Sequence, residues 1–189
     1  MIGCVVMAAG SSSRFGSENK LLANFGGRPL VHRAMDAVPP LCKTVVVTGY
    51  AEIAAEAARR GFAVVRNDRP EDGASRTVRL GTEALSDCEA ILFIVGDQPG
   101  LTRAGAELVL AAHRAQPDAI CAAAHNGKRG NPCLFPREFF EELTALAGDR
   151  GGSAVIRRHE DRLVLAELPA EALADIDTVE ELRQMEETL

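Results

Sequence analysis

The stretch IGCVVMAAGSSSRFGSENKLL, from Ile2 to Leu22, decides the fold. Ile2 to Met7 is an unbroken apolar run and predicts a buried strand. Ala8, Ala9 and Gly10 end the run, and Ser11, Ser12 and Ser13 follow. Small residues at the carboxyl end of a strand let the backbone turn several N–H groups toward one point and let a ligand come close. Arg14, Gly16 and Lys20 complete the stretch, with two positive charges beside those donors. The combination suits a polyphosphate. An ordinary strand-to-helix turn carrying a solvated basic pair has the same local pattern.

Working outward, strands and helices alternate. A helix is predicted over Leu30–Val38, with Pro29 in its first turn and Pro39-Pro40 ending it. Thr44–Thr48 is a β-branched strand, Ala51–Arg60 a helix and Phe62–Val65 a short strand. A polar loop, Arg66–Gly73, leads to a helix over Ser75–Leu85. Ala90–Val95 is a second wholly apolar strand, ending in Gly96-Asp97-Gln98-Pro99. Thr102 caps a helix running to Ala115, and Ala119–Ala123 is a strand. Gly127–Pro136 reads as a loop and a short extended piece, followed by a helix over Arg137–Leu146. A glycine-rich turn, Gly148–Gly152, precedes a helix over Ser153–His159 and a last strand, Leu163–Leu168. Thr178 and Glu181 have capping-box spacing at the start of a terminal helix. The pattern predicts one α/β domain spanning 1–189, a three-layer α/β/α sandwich on a mostly parallel sheet.

Composition narrows the function. The 189 residues are 47% hydrophobic and 25% charged, which fits an ordinary globular core. A net charge of −6 argues against broad nucleic-acid binding, so an anionic ligand must meet local positive groups. The first apolar run is too short for a signal peptide or a membrane span, and a cytoplasmic protein with no membrane partner is expected. Cys4, Cys42, Cys88, Cys121 and Cys133 form no Cys-x-x-Cys pair, and the four histidines show no metal-ligand spacing. Neither the P-loop pattern, the Rossmann glycine pattern nor a serine-nucleophile elbow occurs.

Ligands of open α/β sheets bind outside the carboxyl ends of strands, which brings the two glycine-rich endings to one edge. Asp97 is the first acid after a buried strand on that edge. Opposite a phosphate loop it suits Mg²⁺, which takes one or two carboxylates along with phosphate and water oxygens; it also suits a simple turn or helix cap. Asp175 and Asp177 form a second acidic pair, either helix-dipole acids or, for Asp177, a second metal ligand. Gly73 and Ser75 open a helix beside Arg66, Arg76 and Arg79, a cluster that suits a nucleobase, a ribose or a second substrate and equally a solvated surface. Lys128, Arg129 and Asn131 in one loop, and Arg150, Arg157 and Arg158 near the other, are candidates for an anionic second substrate.

These motifs together resemble the MobA/MocA-like nucleotidyltransferases of the GT-A-like α/β class. VVMAAGSSSRFGSENKLL is similar to the family's L-A-A-G-x-S-x-R-[MF]-G-x-x-K signature, with one extra residue before Lys20. Gly73-Ala74-Ser75 through Gly81, Gly96-Asp97-Gln98-Pro99, Arg129-Gly130-Asn131-Pro132 through Phe135, Gly148-Asp149-Arg150-Gly151-Gly152 and Asp175-Ile176-Asp177-Thr178 resemble its further segments, in family order. The resemblance implies Mg²⁺-dependent transfer of a nucleotide to the phosphate of molybdopterin, with release of pyrophosphate. Ala8, Ala9, Gly10, Ser11, Ser12, Ser13, Arg14, Gly16 and Lys20 would wrap the triphosphate, with Gly73, Ser75 and Gly96 completing the nucleotide site. Arg14, Lys20 and Asp97 would carry catalysis, and Asp97 and Asp177 the metal. Arg129, Asn131, Gly148, Asp149, Arg150 and Gly151 would meet the pterin phosphate. The Ala-Ala-Gly sequence implies CTP over GTP. A molybdoenzyme or its chaperone is the implied delivery partner. In this family pattern Gly152 and Ser153 stand where Ala and Arg are usual. The nearby alternatives are guanylyl transfer, transfer to a sugar or alcohol phosphate, and a nucleotide- or pterin-binding accessory protein without turnover.

Overall fold

The computed structural model describes residues 1–10, 15 and 19–188. Its strands are β1 (Ile2–Ala8), β2 (Asn24–Phe25), β3 (Arg28–Pro29), β4 (Lys43–Thr48), β5 (Ala63–Arg66), β6 (Ala90–Val95), β7 (Ile120–His125), β8 (Lys128–Pro136) and β9 (Leu163–Glu167). The helices are α1 (Val31–Asp36), α2 (Ala51–Arg59), α3 (Ala74–Ala84), α4 (Arg103–Ala115), α5 (Phe140–Thr144), α6 (Ser153–Ile156) and α7 (Val179–Thr188). β2 and β3 make a small hairpin; the other seven strands form one sheet in the order β5-β4-β1-β6-β8-β7-β9. Every neighbouring pair is parallel except the two that involve β8.

The apolar runs become strands buried on both faces. Alternate residues of β1 enter two different cores. Cys4, Val6 and Ala8 face α1, α2 and α4 through Val31, Met35, Ile53, Ala57, Ala106 and Val109. Val5 faces the other side, where α3, α5 and α6 contribute Val78, Leu143, Val155 and Ile156. The expected three layers follow from this alternation. The chain leaves β1 toward β4 and β5, then returns through α3 to place β6 on β1's other side. That reversal sets a topological switch point at the carboxyl ends of β1 and β6, where open sheets hold ligands.

One expectation is corrected. Gly127–Pro136 is not a loop with a short extension. All of it but Gly127 is β8, a nine-residue antiparallel strand beside β6. The turn before it explains why. Asn126 and Gly127 have φ of 51° and 74°, the left-handed pair of a tight hairpin, and His125 pairs with Lys128 across it. Glu167 accepts from both turn N–H groups, at 3.0 and 3.1 Å. Cys133, Leu134 and Phe135 are buried by the pairing. Burying a side chain such as Leu134 or Phe135 contributes about 1.5–3 kcal/mol. The helix expected over Arg137–Leu146 is also shorter, a 3-10 turn at Arg137–Phe139 running into α5. That expected over Ser153–His159 shrinks to the four residues of α6.

The helix caps form as read. Gly105 N–H donates to Thr102 Oγ1 at 3.1 Å. At α7, Glu181 N–H donates to Thr178 Oγ1 at 3.2 Å and Thr178 N–H donates to Glu181 Oε2 at 2.9 Å. Among the described residues no helix is long and apolar enough to cross a membrane.

Candidate active site

The carboxyl edge of the sheet carries a cleft of about 290 Å³. Ala9 and Gly10 line it from the end of β1, Gly96 and Asp97 from the end of β6, and Gly73 and Ala74 from the start of α3. Ala8 itself is fully buried as the last residue of β1. Tyr50 reaches across from the end of β4, its hydroxyl donating to the Gly10 carbonyl at 3.0 Å. The expected contributions of Ser11, Ser12, Ser13, Arg14 and Gly16 lie outside the described residues. Phe15 is described and buried, packing with Phe25, Leu30, Ile176 and Leu182. That cluster ties Phe15 to the segment that carries Asp177.

Lys20 opens the short 3-10 turn Lys20–Leu22 and is 9% exposed. Its Nζ donates to Asp97 Oδ2 at 2.8 Å and to Asp177 Oδ1 at 3.0 Å. Burial works against the Lys20 charge, but the hydrogen bonds and charges of Asp97 and Asp177 outweigh it, so its pKa is raised. Two carboxylate oxygens therefore converge on one cationic centre. The backbone fixes both. Ile176 N–H donates to the Asp97 carbonyl at 3.0 Å, and Asp177 N–H donates to Glu181 Oε2 at 2.8 Å. The capping box that starts α7 thus also positions Asp177.

Hard divalent cations take oxygen ligands, and Mg²⁺ in phosphate sites needs only one or two carboxylates. Asp97 and Asp177 supply that number at one point. Among the described residues no group of three or more His, Cys, Asp or Glu could hold a metal. The remaining ligands would have to come from phosphate and water oxygens.

Gly73 is required as glycine. Its φ is +82°, and a Cβ there would lie 2.7 Å from the Gly148 carbonyl and 2.8 Å from Asp149 Oδ1. Ser75 is buried, with its N–H donating to the Gly148 carbonyl and its hydroxyl to the Asp72 carbonyl. The start of α3 is thereby clamped to the Gly148–Gly152 turn. Arg76 is held by its own loop, donating to Asn67 Oδ1 at 3.0 Å and Asp68 Oδ1 at 2.5 Å.

A second cleft, about 500 Å³, opens beyond Gln98. Lys128, Arg129 and Asn131 line one side and Asp175 the other, with Ser153 and His125 also on its wall. Arg129 NH1 donates to Ser153 Oγ at 3.4 Å. Gln98 is 2% exposed and lines this cleft directly after Asp97, which lines the first. Its Nε2 donates to Asp175 Oδ1 at 2.7 Å and to the Leu173 carbonyl at 3.1 Å. Burial raises the Asp175 pKa, with the charges of Asp97 and Asp177 adding to it. Asp175 thus lines the second cleft, while Asp177, beyond buried Ile176, meets Lys20, which lines the first.

Of the residues expected to meet a second substrate, the structure brings Arg129 and Asn131 together in the second cleft. Asp149 instead lines the first cleft, and Arg150 is exposed and lines neither. Gly151 lines a third, smaller cavity between the two, and Gly148 acts through its carbonyl on Ser75. The Gln98–Asp175 link was not read from the sequence. Its only signal was Pro99, which restricts Gln98 without saying where the amide goes.

Comparison with known proteins agrees with this geometry. Residues 4–163 match the family described as the MobA-like NTP transferase domain. Nicotine blue oxidoreductase of Paenarthrobacter nicotinovorans is 27% identical over 96% of this chain and 94% of its own length. Molybdenum cofactor guanylyltransferase of Shewanella sp. (strain MR-4) is 23% identical over 97% and 94%. Among solved structures, a nucleotidyl transferase from Methanothermobacter thermautotroptrophicus superposes with a TM-score of 0.82 at 23% identity, covering 100% of this chain and 97% of that one. Rv0371C of Mycobacterium tuberculosis H37Rv, solved in complex with manganese, gives 0.79 at 23% identity, covering 100% and 99%. With the family match spanning most of the chain and Ala9, Gly10, Lys20 and Asp97 gathered in one cleft, the chain belongs to the MobA-like NTP transferase domain family and is a nucleotidyltransferase.

Proposed function

We propose that the chain transfers a nucleotide, CMP from CTP, onto the phosphate of a molybdopterin-type acceptor with Mg²⁺. The observation that carries this reading is the convergence of Asp97 and Asp177 on Lys20 Nζ at the mouth of a glycine-lined cleft. In the reaction an acceptor phosphate oxygen forms a bond to the α-phosphorus. The bond from that phosphorus to the bridging oxygen breaks, and its electron pair leaves with pyrophosphate. Asp97 and Asp177 would hold the metal, which when bound neutralises phosphate charge. Lys20 would pass from the carboxylates to the phosphates as the nucleotide enters. Ala9 and Gly10 leave room for the backbone to approach the triphosphate. Arg129 and Lys128 would hold the anionic acceptor in the second cleft. Positioning and charge neutralisation suffice, because a phosphate nucleophile is already ionised near neutral pH.

CTP is preferred over GTP on the Ala8-Ala9-Gly10 sequence that ends β1, and a cytoplasmic location with delivery to a molybdoenzyme or its chaperone belongs to the same reading. A second reading, a binding protein without turnover, is favoured by one observation: Lys20 already satisfies both carboxylates. Pyrophosphate release separates the two. With Mg²⁺ and molybdopterin, CTP should give release and GTP much less. Tight CTP binding with no release from any acceptor selects the binding protein.

A further inference from the structure

α4 buries one face through Gly105, Ala106, Val109, Leu110 and His113. On its other face Ala104, Leu108, Ala111 and Ala115 are exposed, and Leu108 keeps 51% of its surface in water. The outer face of a surface helix is ordinarily polar. Here an apolar row runs its length, bordered on one side by Glu107 and Arg114.

The row has the register of a helix seam. Its members follow one another at four, three and four residues, the spacing at which two helices interlock. Alanine at three of the four positions lets two helix axes come close, with Leu108 as the knob between them. Glu107 and Arg114 each precede a seam residue, Leu108 and Ala115, and so share one flank. Both are exposed, and among the described residues neither makes an ion pair.

We infer that α4 is the interface of a two-fold symmetric homodimer, packed antiparallel against α4 of a second copy. Leu108 meets Ala111 of the other copy, and Ala104 meets its Ala115. The charged flank then faces the same flank running the other way. Glu107 pairs with Arg114 of the other copy, and the symmetry makes that pair twice. These charges select the occupant. A parallel pair would set Glu107 beside Ala112 of the other copy, with no charge to meet. An anionic membrane would find no excess of positive charge, with Glu107 beside Arg114 on a chain of net charge −6. The seam is only about 20 Å long, so the dimer is weak and depends on concentration. It is independent of the nucleotide reading, because none of these residues lines either cleft.

The test is sedimentation equilibrium of the full chain between about 10 and about 500 µM. Wild type should pass from monomer toward dimer across that range. Leu108→Glu places a good helix former at an exposed position and should weaken association about tenfold or more. Glu107→Arg or Arg114→Glu alone sets like charges opposite each other twice and should weaken it about threefold or more. The two reversals together should restore the wild-type constant. Circular dichroism and CTP titration of the variants should match wild type, so a protein that dimerises as described but binds no CTP defeats the nucleotide reading alone. A wild type that stays monomeric, a dimer indifferent to Leu108→Glu, or a double reversal no better than either single one overturns the interface.

Discussion

Lys20 Nζ stands 2.8 Å from Asp97 Oδ2, which links the Lys20–Leu22 turn to the end of β6. The same ammonium lies 3.0 Å from Asp177 Oδ1, so one cation holds three segments far apart in sequence. A metal bound by Asp97 and Asp177 would compete with Lys20 for those oxygens.

Removing the ammonium should expose that competition. Lys20→Met leaves two carboxylates facing each other in a partly buried cleft, and should destabilise the nucleotide-free protein by about 1–3 kcal/mol. Mg²⁺ should then raise the melting temperature of Lys20→Met more than that of wild type, because the Lys20 ammonium no longer competes for those oxygens. Equal Mg²⁺ effects on the two proteins would count against a metal between Asp97 and Asp177.

Gln98 should matter for stability more than its place near a site suggests. It is almost wholly buried, and its amide is the donor for both Asp175 Oδ1 and the Leu173 carbonyl. Gln98→Ala removes that donor and should cost about 1–3 kcal/mol in a urea unfolding titration. A loss within error of zero would mean that the Asp175 segment is not held through Gln98.

His113 gives the stability a pH dependence of its own. It is buried on α4, and its Nδ1 has no hydrogen-bond partner. Burial lowers its pKa, with Arg114 adding and with Glu89 and Asp118 opposing. The folded state therefore prefers the neutral ring, while the unfolded chain takes up a proton near the ordinary value of 6.5. Stability from this group is present above that pH and is lost as pH falls below it. His113→Gln should lack this component, so the melting-temperature difference between wild type and variant should shift against wild type from pH 7.5 toward pH 5.5. A difference that is flat across that range would show that His113 carries no such coupling.

What could be read from the chain follows the reach of each interaction. The apolar runs of β1 and β6 and the capping box of Thr178 and Glu181 are local patterns, and both formed as read. The Asn126-Gly127 turn is local too, but the glycines and arginine after it have the composition of a loop, which masks the burial of Leu134 and Phe135. The convergence of Lys20 with Asp177 spans 157 residues, and sequence could name the groups without giving their meeting point. Asp149 and Arg150 are chain neighbours, yet only Asp149 lines the first cleft, because a turn aims successive side chains differently.

The most direct measurement is pyrophosphate release from CTP, with Mg²⁺ and molybdopterin present, by wild type and by Asp97→Asn. Wild type should release pyrophosphate in proportion to the acceptor consumed. Asp97→Asn should lose turnover by a factor of about 10² or more, while its circular dichroism remains that of wild type. Release at the wild-type rate from Asp97→Asn, or no release from wild type with any nucleotide and acceptor, would contradict metal-assisted nucleotidyl transfer at this cleft.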